Sequence, residues 1–87
     1  MTSLETVRAA FVKERLKLQV AYELLLESEA VDRKATRERV LGLAISCGEL
    51  FAAMETEELR AGLVPKDSLR EAFWRWNTLI VMSLPDV

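Results

Sequence analysis

The 87-residue chain contains no histidine, so the commonest acid–base and metal-ligating side chain is missing. Ser-His-Asp and Cys-His nucleophile systems are excluded, as are His-bearing zinc sites. A single cysteine, Cys47, excludes an internal disulfide. Three glycines and two prolines leave material for few turns. No apolar run approaches the ~18–20 residues that span a bilayer; the longest clean stretches are VLGLAISCG and TLIVMSL. The opening MTSLETVRAAFVKER lacks a basic head followed by an apolar block, so no secretory leader is expected. Neither charge dominates. A net charge of −2 with 30% charged residues describes a mixed surface rather than a globally basic nucleic-acid binder. The expectation is a single domain over residues 1–87, cytoplasmic and without membrane contact.

Catalytic and nucleotide signatures are missing too. A phosphate-wrapping loop needs G-x-x-x-x-G-K-[ST], whereas Gly42 and Gly48 have the wrong spacing and no Gly-Lys follows. AISCG, residues 44–48, faintly resembles the G-x-S-x-G nucleophile elbow, with Ala in first place. That elbow requires a strand-to-helix turn and a base, and these five residues fall in a helical pattern. Glu55, Glu57 and Glu58 lack the Asp-x-Asp spacing of a cation cage and read as a solvated helix end. No catalytic residue, metal site or cofactor is expected, and the chain is read as a non-enzyme.

What is present is helix-forming. Leu, Ala, Glu, Arg and Lys dominate, and the apolar spacing predicts three helices. Thr2 followed by Glu5 is a capping-box pattern. Leu4, Val7, Phe11, Leu18, Tyr22 and Leu25 then form one stripe to about Glu29, interrupted by Glu14. Val12, Leu16, Val20, Leu24 and Leu26 widen the apolar surface beyond what one partner helix covers. The polar SEAVDRKATRER reads as containing the turn, with Asp32 as N-cap of the second helix. Val40, Leu43, Ala44, Cys47, Leu50, Phe51 and Met54 make the next stripe, running to about Ala61. Gly62 then stops the helix, and Pro65 sits near the start of a third. Leu69, Ala72, Phe73, Trp76 and Ile80 share one face of that third helix, which ends near Ser83 because Pro85 disfavours helical Leu84. The predicted fold is all-α: two long antiparallel helices forming a hairpin, plus a shorter third helix.

Ala44, Gly48 and Ala52 recur every four residues as a ridge of small side chains, suited to close approach by another helix. Trp74 lies off the core face of the third helix, so it is the residue expected to anchor a partner, together with Trp76 and Phe73. Arg33, Lys34, Arg37 and Arg39 cluster near the start of the second helix. They are the candidate phosphate contacts, adding salt-dependent affinity without reading sequence. An 87-residue chain buries roughly 60–65% of its unfolded surface at best, so association with further copies is expected.

The spelling ELRAGLVPKDSLREAF, followed by LIVMSLPDV, resembles the small subunit of tailed-phage DNA-packaging terminases over about the last 30 residues. The similar positions are Gly62, Leu63, Val64 and Pro65, then Leu69, Arg70, Glu71, Ala72 and Phe73, and finally Leu84, Pro85 and Asp86. The resemblance implies a non-catalytic protein in a bacterial host's cytoplasm that assembles into a ring or other homo-oligomer. It would bind double-stranded viral DNA and present it to the terminase large subunit. The competing expectation is a small helical phage-encoded adaptor or inhibitor, acting on a host protein through Trp74 and Trp76.

Overall fold

The computed structural model describes residues 3–27, 30–64 and 66–84, with residues 30–32 placed by backbone alone. Thr2, Pro65, Pro85 and Asp86, which carry expectations above, lie outside the described residues. The described residues form three helices and no strand: α1 (Ser3–Glu27), α2 (Ala30–Arg60) and α3 (Asp67–Met82). Two are long, at 25 and 31 residues, and the third has 16.

The boundary between the first two helices differs from expectation. The polar stretch around Arg33–Arg39 is helical, because α2 is already under way at Ala30. Arg, Lys, Ala and Glu are good helix formers even where no apolar stripe is visible. Asp32 therefore lies inside the helix rather than capping it. The end of α2 is as expected. Gly62 has φ +78, and Leu63 N–H donates to the Glu58 carbonyl at 2.9 Å while Gly62 N–H donates to that of Leu59 at 3.0 Å. This is a Schellman closure, which a Cβ-bearing residue would strain.

α2 lies between its neighbours, packing along α1 and more briefly against α3. Its seam residues Val40, Ala44, Cys47 and Phe51 are buried and alternate steps of four and three. Phe11, Leu18, Ala21 and Leu25 answer from α1. That spacing keeps one face of each helix on the other over several turns. Glu14 sits among those α1 residues, and the interruption it makes has a partner. Its Oε2 accepts from the Ser46 hydroxyl at 3.0 Å and its Oε1 from Lys17 Nζ at 3.2 Å. Arg8 reaches Glu58, Phe11 meets Phe51 and Glu14 meets Ser46.

The chain's three phenylalanines, one per helix, meet in a single cluster. Phe51 and Phe73 stack with centroids 4.2 Å apart, and Phe11 approaches both at 5.4 and 5.3 Å. Such pairs contribute about 0.5–1.5 kcal/mol each beyond their buried area. The molecule is nevertheless elongated and flat. Its radius of gyration is 14.6 Å, against about 12 Å for a compact chain of this length. Its extents are 48 × 25 × 14 Å. Three helices in a row at the usual interaxial distance span about 24 Å between outer Cα atoms. The 25 Å width therefore fits a splayed row with α2 in the middle, and one layer cannot cover both of its faces.

Candidate interaction surfaces

α3 meets α2 through Phe73, Asn77 and Ile80, which are buried. The face is rotated by about 50° from the predicted one, half a residue step of a helix. Leu69, expected in the core, is 63% exposed as a result. The rotation has two anchors. Gly48 leaves a shallow place on α2, and the indole of Trp74 occupies it. A Cβ built at Gly48 would lie 3.4 Å from both Trp74 Cη2 and Cζ3. The same ring sits edge-on to Phe51 and Phe73, at 5.7 and 5.0 Å between centroids. The second anchor is Asn77, whose Nδ2 donates to the Ala44 carbonyl at 3.1 Å from a buried position. The small-residue ridge thus has an occupant within the chain, a tryptophan ring rather than a second helix backbone. Asn77 belongs to the same contact and escapes sequence reasoning. Its spacing from Phe73 and Ile80, four and three residues, is the signal that could have found it.

The residues expected at an interface therefore separate. Ala44 and Phe73 belong to the core, Gly48 lies beneath Trp74, and Ala52 is exposed. Trp74 retains 39% exposure while making its internal contacts. Trp76 is half-buried and tilted against Phe73, lining an open seam between α1 and α3. That seam holds two cavities of about 410 Å³ each, which share Gln19 and Trp76. Phe11, Met54 and Leu69 give the first an apolar lining; Tyr22, Leu79 and Ile80 line the second.

The four basic candidates also separate. Arg33, Lys34 and Arg37 lie within about 100° of one another around α2, whereas Arg39 is at least about 120° from each. Arg33 and Arg37 are half-buried, and Arg37 Nε is sealed from solvent without a hydrogen-bond acceptor among the described residues. Arg39 instead lines a groove of about 480 Å³ with Lys13 and Lys17 of α1, beside Leu16, Val20 and Leu24. Lys13 and Lys17 do not stand out in the sequence. Their position, alternating with an apolar stripe on the outward side of α1, becomes meaningful only once Arg39 is placed beside them.

The acidic end of α2 is charge-balanced locally. Glu55 pairs with Arg70, Glu57 with Arg60 at 2.7 Å, and Glu58 with Arg8 at 4.0 Å. No cluster of three or more metal-ligating side chains occurs among the described residues. Cys47 is fully buried, and burial, with help from the nearby Glu14 charge, pushes its thiol up to about 11. Little thiolate exists near neutrality in that state. Glu14 is held below the ordinary carboxylate range by the Ser46 hydrogen bond and then by Lys17. Ser46 therefore acts as a donor between helices. No described helix is long and apolar enough to cross a membrane.

The surfaces define a class: a single layer of helices held by one aromatic cluster, carrying apolar side chains on both an outward stripe and an open seam. No protein-family model matches the chain, and the searches of curated proteins and solved structures gave no match.

Proposed function

We propose that the chain is a non-catalytic, self-associating helical module that contacts nucleic-acid phosphate. The observation that carries this reading is the outward stripe of α1. Val12, Leu16, Val20 and Leu24 are between 46 and 57% exposed and follow one another at four-residue steps. Exposed large apolar side chains outnumber the buried apolar ones among the described residues. A contiguous patch of this kind on a small protein marks an interaction site. In this reading α1 and α2 run antiparallel as a hairpin, supported by the order of the Arg8–Glu58, Phe11–Phe51 and Glu14–Ser46 contacts.

The phosphate-contacting surface is assigned to Lys17 and Arg39, which line one groove, while Arg33, Lys34 and Arg37 lie on another side of α2. Repetition over several protomers turns weak contacts into useful affinity. The more particular reading, a terminase small subunit that presents viral double-stranded DNA to its large subunit in a bacterial host's cytoplasm, is supported by the spelling of residues 62–65, 69–73 and 84–86.

The test is fluorescence anisotropy with duplex DNA across a salt series. Neutralising Lys17 and Arg39 together to Gln should weaken binding equally for unrelated sequences. The slope of log K against log salt should become shallower by about 0.9 for each phosphate no longer neutralised. An unchanged slope would remove DNA from the proposal. The adaptor reading gains instead if Trp76→Ala abolishes capture of a host protein while self-association is unchanged.

A further inference from the structure

The seam between α1 and α3 and the outward stripe of α1 match in length and carry charges that pair when the two are laid antiparallel. The stripe is exposed and runs from Val12 to Leu24, about 18 Å at the helical rise. The seam is concave and runs along α1 from Phe11 to Glu23, also about 18 Å. Its Leu69 and Leu79 are 63% and 57% exposed, so the apolar pattern of α3 calls for cover that this chain does not supply.

Charge selects one orientation. At the Phe11 end of the seam stand Arg15 and Lys66, neither with an ion-pair partner among the described residues, because Glu55 and Glu58 are engaged by Arg70 and Arg8. At the other end stands Glu23, which accepts from the uncharged Gln19 amide at 3.5 Å. The stripe carries the same order along α1, basic to acidic: Lys13 near its start and Glu27 beyond its end, both exposed. A stripe laid antiparallel to the receiving α1 sets Glu27 near Arg15 and Lys66, and Lys13 near Glu23. The parallel arrangement sets like charges together.

The geometry points to a head-to-tail contact in which the outward α1 stripe of one copy seats in the α1–α3 seam of a second copy. The inference rests on the self-association reading and gives it a specific interface. Because each copy offers one stripe and one seam, the contact is heterologous and propagates from copy to copy. It also places Trp76, rather than Trp74, at the interface.

The experiment uses two full-length variants whose substitutions lie at exposed positions: Leu16→Glu with Val20→Glu on the stripe, and Leu69→Glu with Leu79→Glu in the seam. Circular dichroism and urea midpoints establish that each retains its fold. In sedimentation velocity the wild type should associate, while each variant alone remains at 9.9 kDa. A 1:1 mixture should form a heterodimer and stop there, since only one intact stripe meets one intact seam. Arg15→Glu should weaken wild-type association two- to fivefold, the scale of an exposed ion pair, and Glu27→Arg should restore it. Association of either variant as strong as that of wild type, or a mixture that stays monomeric, would overturn the interface while leaving self-association standing. A monomeric wild type would overturn self-association itself.

Discussion

Replacing Gly48 separates two effects that the structure sets against each other. Glycine inside a helix costs about 0.5–1 kcal/mol relative to alanine. The new methyl of Gly48→Ala would meet the Trp74 ring at 3.4 Å, the near edge of ordinary contact. Each atom pair at such a distance contributes only about 0.1–0.2 kcal/mol. Gly48→Ala should therefore stabilise the fold by about 0.5–1 kcal/mol, the helix term winning. Gly48→Leu has no such room. It must displace the indole and should destabilise by about 1–3 kcal/mol. A fully buried Trp truncated to Ala costs about 3–5 kcal/mol. Scaled for the 39% exposure of Trp74, Trp74→Ala should cost about 2–3 kcal/mol. Gly48→Leu combined with Trp74→Ala should cost less than the two added, by at least about 0.5 kcal/mol, because the leucine then fills space the indole has vacated. Urea unfolding followed by far-ultraviolet circular dichroism, at one fixed protein concentration, measures all four. Strict additivity, or a leucine as well tolerated as alanine, would refute the placement of Trp74 on Gly48.

Other side chains make independent predictions. Asn77→Leu keeps the branched shape, with somewhat bulkier ends, and leaves the Ala44 carbonyl its intrahelical bond, so stability should change by about 1 kcal/mol or less. Asn77→Asp aims a carboxylate at that carbonyl and should be markedly more destabilising at pH 7 than at pH 4; equal effects of the two variants at pH 7 would contradict the hydrogen bond. The Ser46 hydrogen bond and then Lys17 lower the folded pKa of Glu14, so the stability it contributes is present above the unfolded carboxylate range and is lost as pH falls through the lower folded value. Ser46→Ala should flatten this acid limb as pH falls below the ordinary carboxylate range, and an unchanged limb would assign it elsewhere. Cys47 should resist iodoacetamide at pH 7.5 in the folded protein and react in urea. Prompt labelling without denaturant would contradict its burial.

The helical class, the Gly62 stop and the heptad-like seams are readable from the chain because each depends on local chemistry or on spacing within one helix. The start of α2 is not, because a helix whose first turns carry no apolar stripe gives no periodic signal, and Arg33–Arg39 must be judged by propensity alone. The face of α3 is displaced for a different reason. Leu69, Phe73, Trp76 and Ile80 form the most apolar stripe, but a glycine on α2 and an amide on α3 fix the rotation instead. That information sits in two helices at once. The pairing of Glu14 with Ser46, 32 residues apart, and the grouping of Arg39 with Lys13 and Lys17 depend on tertiary register in the same way. Trp74 looks surplus on a helical wheel because a wheel shows only the helix it describes.

Sedimentation equilibrium of the unmodified chain, from about 1 to 100 μM at physiological salt, tests the central claim most directly. The exposed Val12–Leu24 stripe predicts a weight-average mass rising with concentration to at least twice 9.9 kDa. A mass fixed at 9.9 kDa across that range would contradict it.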